Sequence, residues 1–388
     1  MSIQIEQFVK AVKSVSMGTF KPYAVTQCIY ITERIVFSPV NDGCQIIEGI
    51  EYDGVFGHFI VNAKDLIARL KIVPKGSTIT IRNLDGVITI AWGSGNFSIN
   101  VENIDSFPGT FHEIEPTAKQ EKLTTCLEFD ITEFNRAITQ TKSAMAYKDI
   151  RYYLNGLCLS LSITGHRVIA TDGHRLHITP INQLNSYCGP HADLEVIIQD
   201  QGIEWITKTL PKVGTVSMQV DYRSNMFDKS IERSKYLVIK YGTTTIRLNS
   251  IDGRFPQWQR VLPSFNDRPL RIGVSPKQVI KTLKNCSSFS DAKFKKVKLS
   301  VAHRPGNDVL TIAAVSGDQV TYSEQIDVVA DKANFSPDFY IGFSLDYLID
   351  ALSACTSDND VMMCFSDNTN SLLIVDGEFQ AVVMPMRL

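Results

Sequence analysis

The segment of this 388-residue chain that most resembles a catalytic pair is Asp172-Gly173-His174. A carboxylate two residues from an imidazole can orient the ring for general-base catalysis. No nucleophile or second carboxylate is specified nearby, and Asp-Gly between two alternating apolar segments is also a strong hairpin signal. The sequence therefore favours a turn here, and Asp172 with His174 stays as the enzyme alternative.

Other catalytic and cofactor motifs are absent from the sequence. There is no glycine-rich phosphate loop, no His-Glu-x-x-His motif and no complete Gly-x-Ser-x-Gly elbow. The seven histidines and eight cysteines are scattered, without Cys-x-x-Cys pairs or metal-ligand spacing. We therefore expect a protein that is not an enzyme and that holds no cofactor and no metal.

Lysines on amphipathic segments suggest a different chemistry, contact with phosphates. Point charges without interleaved aromatic residues suit sequence-independent contact with a nucleic-acid backbone. One such helix taken alone is better explained as a solvated face. Recurrence of the arrangement in several helices favours a DNA-facing surface. The lysines expected to face DNA on this ground are Lys10, Lys13, Lys208, Lys212, Lys277, Lys281 and Lys284.

The last eight residues, 381–388, form an unusually apolar chain end. They contain Val382 and Val383, two flexible methionines, a proline and a final leucine. Such a segment either packs into the core or lines a binding groove. Composition alone favours the core.

Composition limits the class of protein. Hydrophobic residues make up 44% and charged residues 21%, as in ordinary globular proteins. No secretory signal and no apolar run of about 20 residues occurs, so we expect a cytoplasmic protein that does not enter a membrane. The net charge of −2 argues against a simple basic DNA binder. Charge is instead segregated, with eight Lys/Arg and one acid in 271–300 and seven acids and one base in 341–388.

A short strand followed by an amphipathic helix recurs three times, beginning at Ile3, Leu127 and Leu270. A second helix recurs at 62–70, 202–210 and 344–352, and alternating segments such as 78–82 and 87–90 predict antiparallel strands. Expected helix starts are Thr132 as an N-cap and Ser275 followed by Pro276. The sequence thus predicts an α+β fold of three similar domains, each with two helices packed on antiparallel sheets: 1–122, 123–264 and 265–388.

Four segments together resemble the bacterial DNA polymerase III beta subunit family, the sliding clamps. They are Arg-Tyr-Tyr-Leu-Asn-Gly at 151–156, Ala-Thr-Asp-Gly-His-Arg-Leu at 170–176, Asp-Gly-Arg-Phe-Pro with Arg-Val-Leu-Pro in 252–263, and Val-Val-Met-Pro-Met-Arg-Leu at 382–388. They occur in the family's order and at about its spacing. Before about Ser143 the resemblance rests on the repeat and on Phe107-Pro108, the motif that ends the first repeat.

The resemblance implies a homodimer, joined head to tail into a ring around double-stranded DNA, that tethers the replicative polymerase and slides without reading sequence. It implies clamp-loader and repair proteins as further partners, which dock through short linear motifs. The alternative is a clamp-like regulator that binds partners but does not close stably on DNA. The divergent first domain suggests a specialised copy, carried on a plasmid or phage.

The resemblance also implies a hydrophobic cleft for partner peptides between the second and third domains. Ser344 and Thr369 depart from the family pattern, so the preferred motif can differ. The cleft residues carried over are Leu154, Thr171, Gly173, His174, Arg175, Leu176, Pro256, Arg260, Val261, Phe294, Ser344, Tyr347, Thr369, Ser371, Val382, Val383, Met384, Pro385, Met386 and Arg387.

Two further sets of residues follow from the resemblance. A loop that reaches toward DNA in this family is matched by Lys148, Tyr152 and Tyr153. Lys21 is expected to have a similar role. Phe97, with Phe289 as its candidate partner, is expected at the subunit contact. Ser94, Gly95 and Asn96 precede Phe97 where basic residues are expected, which puts interface ion pairs in doubt.

Overall fold

A computed structural model describes residues 2–21, 23–41, 44–102, 107–108, 120–162, 164–182, 194–225, 231–290, 295–304, 307–316, 319–332, 339–357 and 360–388. Its helices are α1 (Ile5–Ser16), α2 (Ala63–Leu70), α3 (Ile131–Thr141), α4 (Asp200–Thr209), α5 (Pro276–Ser287) and α6 (Leu345–Ser353). Short 3-10 turns occur at Val25–Gln27, Lys142–Ala144, Tyr152–Leu154 and Trp258–Arg260. None of the helices in these ranges is long and apolar enough to cross a membrane.

The strands, which pair antiparallel throughout the registers described, confirm the predicted α+β class. In the first half of the chain they are β1 (Ile3–Gln4), β2 (Cys28–Ile31), β3 (Ile35–Phe37), β4 (Gln45–Gly49), β5 (Phe59–Asn62), β6 (Thr78–Leu84), β7 (Val87–Trp92), β8 (Gly95–Asn100), β9 (Gln120–Asp130), β10 (Gly156–Leu161), β11 (His166–Thr171), β12 (Arg175–Ile181) and β13 (Leu194–Gln199). The others are β14 (Thr215–Asn225), β15 (Ile231–Tyr241), β16 (Thr244–Asn249), β17 (Leu270–Val274), β18 (Lys296–Arg304), β19 (Asn307–Ser316), β20 (Gln319–Lys332), β21 (Tyr340–Ser344), β22 (Val361–Phe365), β23 (Leu372–Asp376) and β24 (Phe379–Val383).

The chain divides into two compact units. The first contains Met1–Thr132 and Ile198–Asp252, and the second contains Glu133–Asn182 and Gly253–Leu388 with residues 194–197. The predicted division into three domains, with boundaries after 122 and 264, stays a prediction.

The first unit contains two antiparallel sheets, ordered β1-β6-β7-β8 and β5-β2-β3-β4-β16-β15-β14-β9. Helix α1 buries an apolar stripe of Ile5, Phe8, Ala11, Val12 and Val15. The N-cap expected at Thr132 is wrong. Asp130 occupies that position, and its Oδ1 accepts the Thr132 backbone N–H at 2.7 Å, because a carboxylate two residues earlier satisfies a free N–H of the first turn.

The second unit is built on a 12-stranded sheet, ordered β13-β10-β11-β12-β24-β23-β22-β17-β20-β19-β18-β21. Helices α5 and α6 pack with it around an apolar core that includes Val279, Leu283, Leu348 and Phe365. Pro276 begins α5 as predicted, and Ser275 lies at the cap position although its side chain makes no capping hydrogen bond. Lys277, Lys281 and Lys284 are exposed on the opposite side of α5.

The strand before the chain end lies inside this sheet. β24 pairs with β12 on one side and with β23 on the other. Its register places Val382 opposite Leu176 and Val383 opposite Arg175. The chain end is therefore carried directly to the turn that precedes β12.

Candidate functional site

The turn between β11 and β12 is held by short local hydrogen bonds. Thr171 Oγ1 donates to the Arg175 carbonyl at 2.6 Å. Asp172 Oδ1 accepts the backbone N–H groups of His174 and Arg175 at 2.8 and 3.1 Å. Gly173 has φ = +93°, and a Cβ there would lie 2.8 Å from the Arg151 guanidinium. Both facts favour glycine at this position.

This geometry does not support the catalytic alternative for Asp172 and His174. The second Asp172 oxygen accepts from Arg175 Nε at 3.0 Å, so both oxygens bind groups other than the imidazole. The His174 ring stacks on Tyr347 with centroids 6.3 Å apart. His174 therefore presents an aromatic face beside Tyr347, and Asp172 stabilises the turn.

Arg175 joins the turn to helix α6. Its Nη1 donates to Asp350 at 2.5 Å, and its guanidinium carbon lies 4.5 Å from the Tyr347 ring centroid. Only 10% of the side chain is exposed. Burial raises the pKa of the Tyr347 hydroxyl, so that group stays protonated. Arg175 thus fixes the relative positions of the turn and α6, with little surface left to contact a ligand.

Two backbone hydrogen bonds position the chain end beyond β24. The Met384 N–H donates to the His174 carbonyl at 2.9 Å, and the Met386 N–H donates to the Gly342 carbonyl at 2.8 Å. A Cβ on Gly342 would lie 2.6 Å from the Met386 carbonyl oxygen and 2.7 Å from Leu388 Cδ2. Glycine at 342 therefore lets the chain end approach the terminal strand of the sheet.

A first cavity of about 230 Å³ opens beside the turn. Val382 and Leu176 form adjoining parts of its apolar wall, with Leu154 and Met384 nearby. The predicted cleft residues that line it are Leu154, Thr171, Gly173, Arg175, Leu176, Pro256, Val261, Val382 and Met384. Arg151, Tyr153, Gln257 and Trp258 also line it and were not predicted as cleft residues.

A second cavity of about 750 Å³ shares Met384 with the first, since this residue lines both. Met384 is 45% exposed, so its flexible side chain can adapt to a ligand in either cavity. The predicted residues that line the second cavity are His174, Ser344, Tyr347, Met384, Pro385, Met386 and Arg387. Lys295, Lys296 and Asp346 line it as well and were not predicted. We call the two cavities together the groove.

Other predicted cleft residues line neither cavity. Val383 does not face the groove as predicted. Its side chain is fully buried in the apolar core, because successive strand residues point to opposite faces of the sheet. Thr369 Oγ1 donates to Asp367 at 2.8 Å within its own turn, and the Ser371 carbonyl accepts from Arg268 at 2.8 Å. Arg260 is exposed on a 3-10 turn. Phe294 lies outside the described residues.

The lysines predicted to face DNA lie at the surface. In the first unit Lys10, Lys13, Lys21, Lys208 and Lys212 are exposed, and in the second unit Lys148, Lys277, Lys281 and Lys284 are exposed. Lys208 forms an ion pair with Glu204 one helical turn earlier, which reduces its free charge. Their contact with DNA stays a prediction.

The loop that carries Lys148 is organised by Asp149 and Arg151. The Asp149 carboxylate accepts from Arg151 Nε and Nη2 at 3.0 and 2.8 Å, and these bonds lower the pKa of Asp149 to about 2. Arg151 Nη2 also donates to the Asp172 carbonyl at 3.0 Å. Tyr152 is 54% exposed on this loop, whereas Tyr153 is partly buried and lines the first cavity.

The two predicted contact aromatics differ in exposure. Phe97 is buried against its own sheet, with its ring 6.2 Å from that of Trp92. Phe289 is 47% exposed and stacks on Tyr322, with centroids 4.8 Å apart. Phe289 can therefore offer an aromatic face to another protein, and Phe97 would contribute mainly through the strand that carries it.

Comparison with known proteins agrees with the fold. Family models for the central and C-terminal domains of the DNA polymerase III beta subunit match residues 128–257 and 259–387. Similar curated proteins include the beta sliding clamps of Pseudomonas putida, 26% identical over 86% of this chain and 82% of the relative, and of Escherichia coli K12, 29% identical over 81% and 78%. A sliding clamp from Pseudomonas aeruginosa, solved with a ligand, superimposes with a TM-score of 0.80 at 24% identity, covering 100% of this chain and 99% of the other.

Proposed function

Because the chain belongs to the DNA polymerase III beta subunit family, the sliding clamps, we propose that it closes as a head-to-tail homodimeric ring around double-stranded DNA and tethers a replicative polymerase there. Topology then provides processivity, since a closed ring stays on DNA without reading bases. Scattered phosphate contacts without base contacts keep sliding unhindered. Each subunit would contribute three similar domains, 1–122, 123–264 and 265–388, and the protein would act in the cytoplasm.

The groove is the observation that carries the docking part of this proposal. Leu154, Leu176, Val382 and the flexible side chain of Met384 form apolar walls suited to a Leu or Phe of a partner peptide. Burying one such side chain contributes roughly 1.5–3 kcal/mol. A few anchors in pockets commonly supply most of the binding energy of an interface. The groove would receive short linear motifs of the polymerase, the clamp loader and repair proteins.

The exposed lysines support the DNA part of the proposal. Lys277, Lys281 and Lys284 form an exposed row on α5, and Lys10 and Lys13 lie exposed on α1. Such rows attract phosphates without selecting sequence. Tyr152 and Lys148 would reach DNA from the loop that Arg151 holds.

A retention experiment tests the ring. The protein is loaded on nicked circular DNA by a clamp-loader ATPase, washed in high salt, and the circle is then linearised. We expect the protein to stay on the circle and to leave the linear form, because only a closed ring is held by topology. Equal loss from circular and linear DNA would favour the alternative, a clamp-like regulator that binds partners without closing stably on DNA.

A deletion tests the groove separately. Removal of residues 384–388 eliminates Met384 and the hydrogen bonds that hold the chain end, but it leaves β24 intact. We expect binding of a Leu/Phe-anchored polymerase peptide to be abolished while the dimer remains, as measured by fluorescence anisotropy and native mass. Peptide affinity that survives the deletion would refute the groove as the docking site.

A further inference from the structure

The mouth of the second cavity is basic. Lys296 Nζ lies 3.5 Å from the Arg387 carbonyl oxygen, which places the ammonium group beside the chain end. Lys295 is already paired with Asp346 at 3.3 Å, and both side chains are substantially exposed. Lys296 and Arg387 line the cavity, and neither forms an ion pair with another described residue. Positive charge is therefore available at this end of the groove.

The positive charge continues along β18. Residues 296 and 298 point to the same face of the sheet because side chains alternate along a strand, while Val297 and Leu299 point into the core. The Lys298 ammonium lies 4.1 Å from the ring centroid of Tyr340, which is 45% exposed. We call Lys296, Lys298 and Arg387 the basic strip.

The neighbouring strands carry no acid directly opposite Lys296 or Lys298 in the described registers. Lys296 and Lys298 lie opposite Ser344 and Gly342 on β21. On β19 they lie opposite Val315 and Ala313. A partner peptide that leaves the second cavity along this face would therefore pass two lysines about 7 Å apart. The residues directly opposite them on the neighbouring strands are uncharged.

We propose that the partner segments that dock in the groove carry an acidic tract on the side that leaves the second cavity, and that the basic strip binds this tract. The inference rests on the proposed docking function of the groove. The first cavity selects partners by their apolar anchor, and the basic strip adds selection by charge. Each exposed ion pair contributes little to binding, so the strip would tune affinity without replacing the anchor.

Matched labelled peptides test the proposal. Each carries the same Leu/Phe anchor, with either Glu-Glu-Asp-Glu or Gln-Gln-Asn-Gln placed before or after it, and affinity is measured by fluorescence anisotropy at low and high salt. We expect one of the two acidic peptides to bind about 3- to 10-fold more tightly than its neutral match at low salt. The preference should diminish at high salt because exposed charges are screened.

Two double variants locate the effect. K296Q/K298Q should abolish the preference for the acidic peptide, measured as the ratio of the affinities of the acidic and the neutral peptide for the same variant. K281Q/K284Q removes the same charge from α5 and should retain the preference. Equal binding of acidic and neutral peptides, or a preference that survives K296Q/K298Q, would overturn the inference and leave the docking function standing. If no peptide binds, the groove assignment fails, and this inference fails with it.

Discussion

Gly342 lies where the chain end crosses β21, the terminal strand of the 12-stranded sheet. The bridge between Gly342 and Met386 shows that the backbone of the chain end approaches as closely as a paired strand. A methyl group at 342 would occupy the space of the Met386 carbonyl. The position of the methionines in the groove therefore depends on one absent Cβ.

We predict that Gly342→Ala weakens peptide binding at least several-fold, because the chain end must move away from β21. The control is Gly273→Ala, on β17, where the nearest atoms to a new Cβ are 3.9 Å away. Peptide affinity by anisotropy and thermal unfolding should be measured for both. Unchanged peptide affinity in Gly342→Ala would show that the chain end does not set the shape of the groove.

His177 is a second residue whose surroundings determine its behaviour. It is fully buried on β12, its Nδ1–H donates to the Gln140 carbonyl at 2.9 Å, and its Nε2 has no hydrogen-bond partner among the described residues. Burial lowers its pKa from 6.5 to about 4. The folded protein therefore keeps this imidazole neutral where an unfolded chain would protonate it.

This pKa predicts acid sensitivity. Between pH 6.5 and about 4 the unfolded state binds a proton that the folded state does not, so the free energy of unfolding should fall as the pH falls through this window. The decrease due to this residue approaches about 3 kcal/mol at the acid end. Denaturant unfolding from about pH 7 to about pH 4.5 measures it. His177→Gln should show a shallower decline, and an equal decline in both proteins would contradict the assignment.

At the scale of elements, α5 combines a buried stripe with an exposed lysine face. Val279, Leu283 and Cys286 are buried, so the opposite face is fixed outward by packing. The three lysines cannot turn inward without exposing this stripe. Their orientation is a consequence of amphipathic spacing, and their proposed partner follows from their charge.

We predict that Lys281→Gln lowers the affinity for short linear duplex DNA and makes the dependence of log K on log salt shallower by about 0.9, the slope that one neutralised phosphate contributes. Lys240→Gln is the control, since Lys240 is exposed on β15 and was not predicted to face DNA. Binding should be titrated at several salt concentrations. Equal salt slopes for the two variants would show that Lys281 on α5 does not contact DNA.

At the scale of the whole molecule, closure into a ring requires a subunit contact. Phe289 offers an exposed ring that already stacks on Tyr322. Val320, 57% exposed on β20, adds an exposed apolar side chain to the part of the chain that carries Tyr322. An exposed aromatic and aliphatic surface of this kind is typical of a protein–protein contact.

We predict that Phe289→Asp shifts the protein toward monomer, because a carboxylate at the contact would be desolvated without a partner. Native mass measurement at micromolar concentration gives the result. Tyr147→Asp is the control, since Tyr147 is 78% exposed on a loop that was not assigned to the contact. A dimer that persists in Phe289→Asp would show that Phe289 does not lie at the subunit contact.

The sequence by itself predicted the repeated helices and several of the strands, in their order along the chain. Period-3.6 and period-2 patterns located the repeated helices and the paired strands, since local spacing decides which face of an element is apolar. The same logic predicted the turn at Asp172-Gly173. It erred at Thr132, where Asp130 competes for the same free N–H group. The assignment of Val383 to the cleft came from the family resemblance, and strand alternation places this side chain in the core instead.

Only the tertiary structure decided which distant residues meet. Val382 pairs with Leu176, and Met386 with Gly342, and neither pairing follows from local spacing. Composition favoured the core for the chain end, and the structure divides it: Val383 packs in the core, while Met384, Pro385 and Met386 line the groove. The tertiary structure also places Lys296 at the groove, because the register of β18 with β21 brings it beside Arg387. Contacts between residues far apart in the chain depend on sheet register, which local patterns leave open.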